Sequence, residues 1–291
     1  MKIVAALRSV DARWLQIGAI GSLLLFGAVV RDFALSLPQV ALCFAGTIGT
    51  QALWMRLLGI KDTGYLSPIV TGIGLSVLVR ADSLWVHPLV AFLAISAKFV
   101  IRFHGKHIYN PANLGVMIAV LLLPGAWLSP GQWGSDMVAA LWFVALGITV
   151  TLSARRFDIA WAFLACYGAL LIGRVVYLDQ RWAVLINQLS SGGLLLFTFF
   201  MITDPMTTPN RRPMRWLYAA MVAVLAFAWQ FVWYRNGGPV WALFLLSPIV
   251  PLLDWLMPGP KHVWKPAQSE SSVAEVPCAP SSATPTVPST A

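Results

Sequence analysis

The chain has 291 residues, of which 58% are hydrophobic and 11% charged, with a net charge of +9. Soluble domains carry roughly a quarter of their residues as charges, so this composition excludes an ordinary water-soluble fold and indicates a polytopic membrane protein. The Lys and Arg residues sit in short clusters between apolar runs rather than on one soluble face, which argues against nucleic acid as a partner and for the lipid bilayer.

Apolar runs long enough to cross a bilayer are read in chain order near 14–31, 35–59, 65–80, 84–102, 107–124, 136–153, 158–177, 182–203, 214–234 and 239–257. The first, from Trp14 to Val30, has no small-residue cleavage site after it and is expected to remain as a helix rather than a signal peptide. The runs near 65–80 and 107–124 are short. The fold expected is all-α and integral to the membrane, with about ten transmembrane helices.

Charge decides the orientation. Lys2, Arg8 and Arg13, then Arg56 and Lys61, Arg102 and Lys106, Arg155 and Arg156, Arg211, Arg212 and Arg215, and Lys261 and Lys265 all fall on one side. Only Arg31, Arg80, Arg181 and Arg235, with Arg174 near a helix end, lie towards the other. The positive-inside rule then predicts that both termini are cytoplasmic.

Ten spans divide into five and five, and an odd number per half inverts the second half relative to the first. The repeats are read as about 14–124 and 136–257, within a membrane domain of 1–265. Their correspondence rests on interrupted segments: Asn110-Pro111 opens the fifth, Ser247-Pro248 breaks the tenth, and Ser67, Thr71, Gly72 and Asp82 roughly mirror Ser190, Ser191, Gly192 and Asp204. From 266 to 291 the chain is rich in Pro, Ser, Thr and Ala, and is expected to be a disordered cytoplasmic tail.

Chemistry concentrates at Lys106-His107-Ile108-Tyr109-Asn110-Pro111-Ala112-Asn113. A half-helix starting at Pro111 leaves unpaired backbone N–H groups at its first turn, which a membrane tolerates only where protein or a cavity faces them. Asn110 and Asn113 are costly in hydrocarbon without partners. Asn110 is read equally as a helix cap and, with His107, as a binder of a ligand's polar edge. A polar cavity is expected between the third, fifth, eighth and tenth segments, with Asn110 central and His107, Asn113, Ser67, Thr71 and Ser191 near it.

Asp204 is expected either to be salt-bridged by Arg211, Arg212 or Arg215 or to act as a polar gate. Asp254, in the last span, is a second ion-pathway or gate residue, with Lys261 or His262 as a simple interfacial partner. Lys98 is expected to snorkel. His104 and His107 lack a third ligand for a metal, and Cys43, Cys166 and Cys278 have no paired spacing. The chain contains no catalytic triad, nucleophile elbow or nucleotide-binding glycine loop. At most it is an electron-transfer subunit.

Four motifs recur in order: His107 to Asn113, Leu189-Ser190-Ser191-Gly192-Gly193, Phe199-Phe200-Met201-Ile202-Thr203-Asp204-Pro205-Met206-Thr207, and Val250-Pro251-Leu252-Leu253-Asp254. Together they resemble the membrane subunit shared by two redox-driven ion pumps, called RnfD in the Rnf complex and NqrB in the sodium-pumping NADH:quinone reductase. The resemblance covers roughly 14–265. It implies a ten-helix inverted repeat in the bacterial inner membrane that carries flavin, couples electron flow to ion movement and works beside other redox subunits. It also implies polar residues beside a non-covalent flavin, FMN or riboflavin, at Asn110 and His107.

The chain departs from that family in one place. Well-studied members attach FMN through a Thr in a long extracytoplasmic loop after the fifth helix. Here 124–136 is short and holds no Thr, so no covalent FMN is expected. Thr284 in the tail has Cys278 where the attachment motif requires Asp, and is discounted. An inverted-repeat transporter or channel for a small solute or ion, without the redox role, remains the alternative reading.

Overall fold

The computed structural model describes residues 11–30, 33, 35–60, 64–129 and 137–262. The expected tail, Cys278 and Thr284 lie outside them, as does most of the 124–136 connection. Among the described residues, ten helical segments follow in chain order. They are α1 (Ala12–Val30), α2 (Leu37–Leu57), α3 (Leu66–Leu78), α4 (Val86–Val100), α5 (Pro111–Leu122), α6 (Met137–Ser153), α7 (Phe157–Tyr177), the bent pair α8 (Trp182–Leu189) and α9 (Gly192–Leu196), α10 (Arg212–Phe231), and the broken pair α11 (Gly238–Leu246) and α12 (Val250–Leu256).

Five of these are long and apolar enough to cross a bilayer: α1, α2, α7, α10 and Gly238–Leu256 taken as one span. The bent pair, turning by 44° between α8 and Gly192–Met201, makes a sixth. The other four, α3 to α6, are apolar but shorter. The molecule is thus a multi-pass helical membrane protein, with the segments close to where hydropathy put them.

The interruptions have local causes. Ser36 caps α2 by accepting from the Gln39 N–H at 3.2 Å, and Pro38 follows at the first turn. Asn110 caps α5 in the same way, accepting from the Asn113 N–H at 3.1 Å, with Pro111 next. The 12 residues of α5 reach only about 18 Å, well short of the hydrocarbon thickness of about 30 Å. A π-helical turn at Phe197–Met201 ends the bent pair, and a 3-10 turn at Ser247–Ile249 joins α11 to α12 around Pro248.

Two short antiparallel ribbons accompany the helices of this all-α membrane fold. Val79–Ala81 (β1) pairs antiparallel with Ala126–Leu128 (β4), and Arg102–Phe103 (β2) with Lys106–His107 (β3). The second ribbon replaces the helix start expected at 107. Its two-residue turn puts His104 at φ +48° and Gly105 at φ +82°, the positive-φ pair that a tight hairpin demands.

In the core, α2 packs against α4, and α7 against α10. Small residues permit the approach: a Cβ on Gly46 would lie 2.7 Å from the Ala91 methyl. Phe163 on α7 meets Phe197 of the π turn at 5.0 Å between ring centres. The α5 segment touches α11 across the two halves of the chain, and this contact brings the functional residues together.

Candidate functional site

The β2–β3 hairpin projects two consecutive side chains, and strand geometry sends them to opposite faces. Each finds a carboxylate from the second half. Lys106 Nζ lies 2.9 Å from Asp254 Oδ2, and also donates to the Thr208 carbonyl at 2.6 Å and to Asn210 Oδ1 at 3.2 Å. The Asn210 backbone N–H donates to the other Asp254 oxygen at 2.7 Å. The His107 ring nitrogen Nε2 stands 3.7 Å from Asp204 Oδ2, beyond hydrogen-bond distance.

Asn110 completes the Asp204 environment. Its side-chain oxygen caps α5 while its nitrogen donates to Asp204 Oδ2 at 3.2 Å. The reading of Asn110 as a helix cap is thus seen in the structure, and the same side chain also reaches Asp204. Asp204 Oδ1 accepts from the Met206 N–H at 3.0 Å. Burial on its own would raise the Asp204 carboxyl, but His107, the Met206 N–H and the charge of His262 outweigh it and hold it below its ordinary value.

Two expected partnerships are therefore corrected. Asp204 does not pair with Arg211, Arg212 or Arg215. Arg215 instead binds Asp158 Oδ2 at 2.7 Å and the Asn210 carbonyl at 2.7 Å, and Arg211 donates to the Pro258 carbonyl. Asp254 pairs with neither Lys261 nor His262 but with Lys106, while Lys261 donates to the His104 carbonyl at 2.7 Å. Arg156 adds a further tie, from its Nε to Thr208 Oγ1 at 3.1 Å.

Of the remaining expected residues, Asn113, Ser67 and Thr71 have partners of their own. Asn113 is fully buried, with its Nδ2 donating to the Val240 carbonyl at 3.0 Å; it clamps α5 to α11 rather than facing open space. Ser67 accepts from Lys98 Nζ at 3.1 Å, and Lys98 also reaches Gln51 Oε1 at 3.3 Å, so it ends among neutral partners between α2 and α3. Thr71 bonds back to the Ser67 carbonyl. Ser191 stands at the start of α9 without a side-chain cap bond. His107, Asn110 and Asp204 meet, and Ser67 bonds to both Lys98 and Thr71.

Beside the meeting point lies a cavity of about 480 Å³, between the hairpin, the 206–210 loop and α12. Its walls include Phe103, Ile108, Met206, Val250 and Trp255, with His107, Lys106, Asn210 and Asp254 as polar groups. A few placed polar groups in an apolar wall are the ordinary form of a small-molecule pocket. Among the described residues no three His, Cys, Asp or Glu side chains come close enough to hold a metal ion.

The charged surroundings are cationic on balance. Burial and the neighbouring Arg156 and Arg155 charges push His262 down to about 4, against an opposing pull from Asp204. Burial likewise lowers Lys106, with Asp254 opposing. Burial and Arg215 bring Arg156 down to about 10. Sequence reading missed Lys106, Asn210 and Thr208 as site residues. The one available signal was that Lys106 adjoins His107, and it was absorbed by the topology argument.

Residues 131–261 match the model of the NQR2, RnfD, RnfE family. The chain is 24% identical over 298 aligned positions to the ion-translocating oxidoreductase complex subunit RnfD of Cronobacter sakazakii, covering 76% of this chain and 85% of that protein. It is 29% identical over 130 positions to the same-named subunit of Escherichia coli O1:K1 / APEC, covering 45% of this chain and 33% of that protein.

Proposed function

We propose that the chain, whose residues 131–261 match the model of the NQR2, RnfD, RnfE family, is a membrane subunit of an Rnf-type electron-transport system. It works with other subunits of that system, and holds a flavin by contacts alone. The observation that carries this reading is the convergence of His107, Asn110 and Asp204 from opposite halves of the chain beside a cavity of about 480 Å³.

The residues suit a flavin ring. Its apolar faces match Ile108, Val250 and Met206, and its polar edge matches His107 and Asn210 in the cavity wall, with Asn110 behind His107 on Asp204. Bound there, the flavin supplies one- and two-electron chemistry, while the protein supplies position and electrostatics. Asp204 fixes the Asn110 amide and faces the His107 ring at the edge of the cavity.

The architecture we propose is a five-plus-five inverted repeat, about 14–124 and 136–257, within a domain of 1–265. Its support is that α2 pairs with α4 as α7 pairs with α10, and that the interrupted fifth and tenth segments meet at Asn113 and Val240. Both termini are cytoplasmic in this proposal, because the clusters around Arg13, Arg102, Lys106, Arg156, Arg211 and Lys261 gather at one end. Coupling of electron flow to ion movement runs through Asp204 and Asp254, the carboxylates at the junction of the halves.

An absorption spectrum of the detergent-purified protein tests the central reading. A flavin band in the blue that leaves with the denatured protein's supernatant supports it. A colourless protein, purified with its co-expressed partner subunits, sinks it. That outcome would favour the second reading, an inverted-repeat transporter without redox function, which the short Thr-free 124–136 segment favours.

A further inference from the structure

The outer mouth of the same cavity has a different chemistry from its inner wall. At the mouth, Trp255 is 74% exposed, Leu252 52% and Phe103 46%, so an apolar lip opens onto the surface of a protein that crosses a bilayer. Directly beside that lip stand exposed cations. Lys261 donates to the His104 carbonyl at the hairpin tip, and Arg102 on the next strand donates to the Gly105 carbonyl at 2.9 Å. These two side chains spend their N–H groups on carbonyls rather than on carboxylates in those bonds, so their charge is not neutralised there.

We propose that this mouth is a seat for an anionic phospholipid, with the headgroup phosphate between Lys261 and Arg102 and the first part of an acyl chain along Trp255 and Leu252. The argument is charge complementarity joined to apolar continuity. Cations at a helix-bundle end attract anionic headgroups, aromatic side chains such as Trp255 favour the headgroup level, and a soluble anion gains nothing from the apolar lip. The proposal rests on the chain crossing a membrane and not on the flavin reading, which uses other groups of this cavity, His107, Ile108, Met206 and Val250.

Native mass spectrometry of the detergent-purified full chain, titrated with phosphatidylglycerol or with phosphatidylcholine of the same acyl chains, tests it. Phosphatidylglycerol is expected to be retained in preference to phosphatidylcholine, and inorganic phosphate is expected not to displace it. Lys261→Ala should weaken retention about fivefold, the worth of one cation near an anionic headgroup. Lys261→Arg should retain it, Trp255→Ala should lose it through the apolar lip, and Arg181→Glu, on an exposed residue at the start of α8, should leave it unchanged. Equal retention of the two lipids, or full retention by Lys261→Ala in a normally folded protein, would overturn the proposal. Displacement by inorganic phosphate would replace the lipid with a soluble anion and overturn it equally.

Discussion

Lys106 and Asp254 lie 148 residues apart in the chain, yet their charged groups meet at 2.9 Å. The contact fastens the hairpin of the first half to the last helix of the second. Both side chains are largely withdrawn from solvent, at 12% and 17% exposure, so removing one leaves the other charge poorly compensated. We expect Lys106→Met and Asp254→Leu each to destabilise the protein by about 3 kcal/mol, and the double substitution to recover much of that loss. Thermal unfolding in detergent, run as a double-mutant cycle, measures the coupling; additive losses would show that the pair contributes nothing as a pair.

Asn110 performs two tasks that substitution can separate. Ser caps a helix almost as well as Asn but is too short to reach Asp204. Asn110→Ser is therefore expected to keep stability within about 0.5 kcal/mol while losing flavin retention, whereas Asn110→Leu loses both. Flavin absorbance per protein and the melting temperature are the two readouts. If Asn110→Ser retains flavin as the parent does, Asn110 is a cap alone.

The pH dependence follows from His262. Its folded-state value lies at about 4 against an ordinary 6.5, so the unfolded chain takes up the additional proton first as pH falls. Stability is therefore expected to decline as pH drops from about 6.5 towards about 4. Asp204, also held low, has the same sign and loses its contribution below the ordinary carboxylate range. His262→Gln should flatten the upper part of this decline and leave the lower part. A melting-temperature profile from pH 7 to pH 4 that is the same in both proteins would remove His262 from the explanation.

Gly147 on α6 sits against the ring of Phe199 in the π turn, where an added Cβ would collide with a fully buried side chain. Gly147→Ala is expected to destabilise by about 1–3 kcal/mol through overpacking, although Ala is the better helix former. Gly49 on α2 has open space around the same position, and Gly49→Ala should stabilise by about 0.5–1 kcal/mol. Thermal unfolding of the two variants side by side checks the contrast. Equal effects would mean that propensity, not the Phe199 contact, governs the α6 position.

Covalent flavinylation is expected to be absent even with a flavin transferase co-expressed, because the 124–136 segment contains no Thr. Denaturing electrophoresis should show no fluorescent band at the protein's mass. A fluorescent band with a mass increase mapped to Thr284 would reverse this.

Much of the helix layout was legible in the residues. Burying an apolar segment in a bilayer is a local property, summed along the run itself, so the boundaries of α2, α6 and α7 fall within a few residues of the hydropathy reading. The start of α5 was legible for the same reason, since the Asn110 cap and Pro111 act within one turn. The hairpin was not, because two residues per strand carry no periodicity and the His104-Gly105 turn declares itself only through positive φ.

The sequence by itself determined that this is a membrane protein, where its helices break, and that its cations cluster between the apolar runs. Only the tertiary structure decided which cation meets which carboxylate. Arg211, Arg212, Arg215, Lys261 and Lys106 are chemically near-equivalent candidates for Asp204 and Asp254, and proximity in sequence favoured the wrong ones. Packing of α5 on α11 brought Lys106 and His107 to those carboxylates instead. The reason is physical: a charge pair depends on separation in space, which is set by how helices from opposite halves pack, and no local property of either segment encodes it.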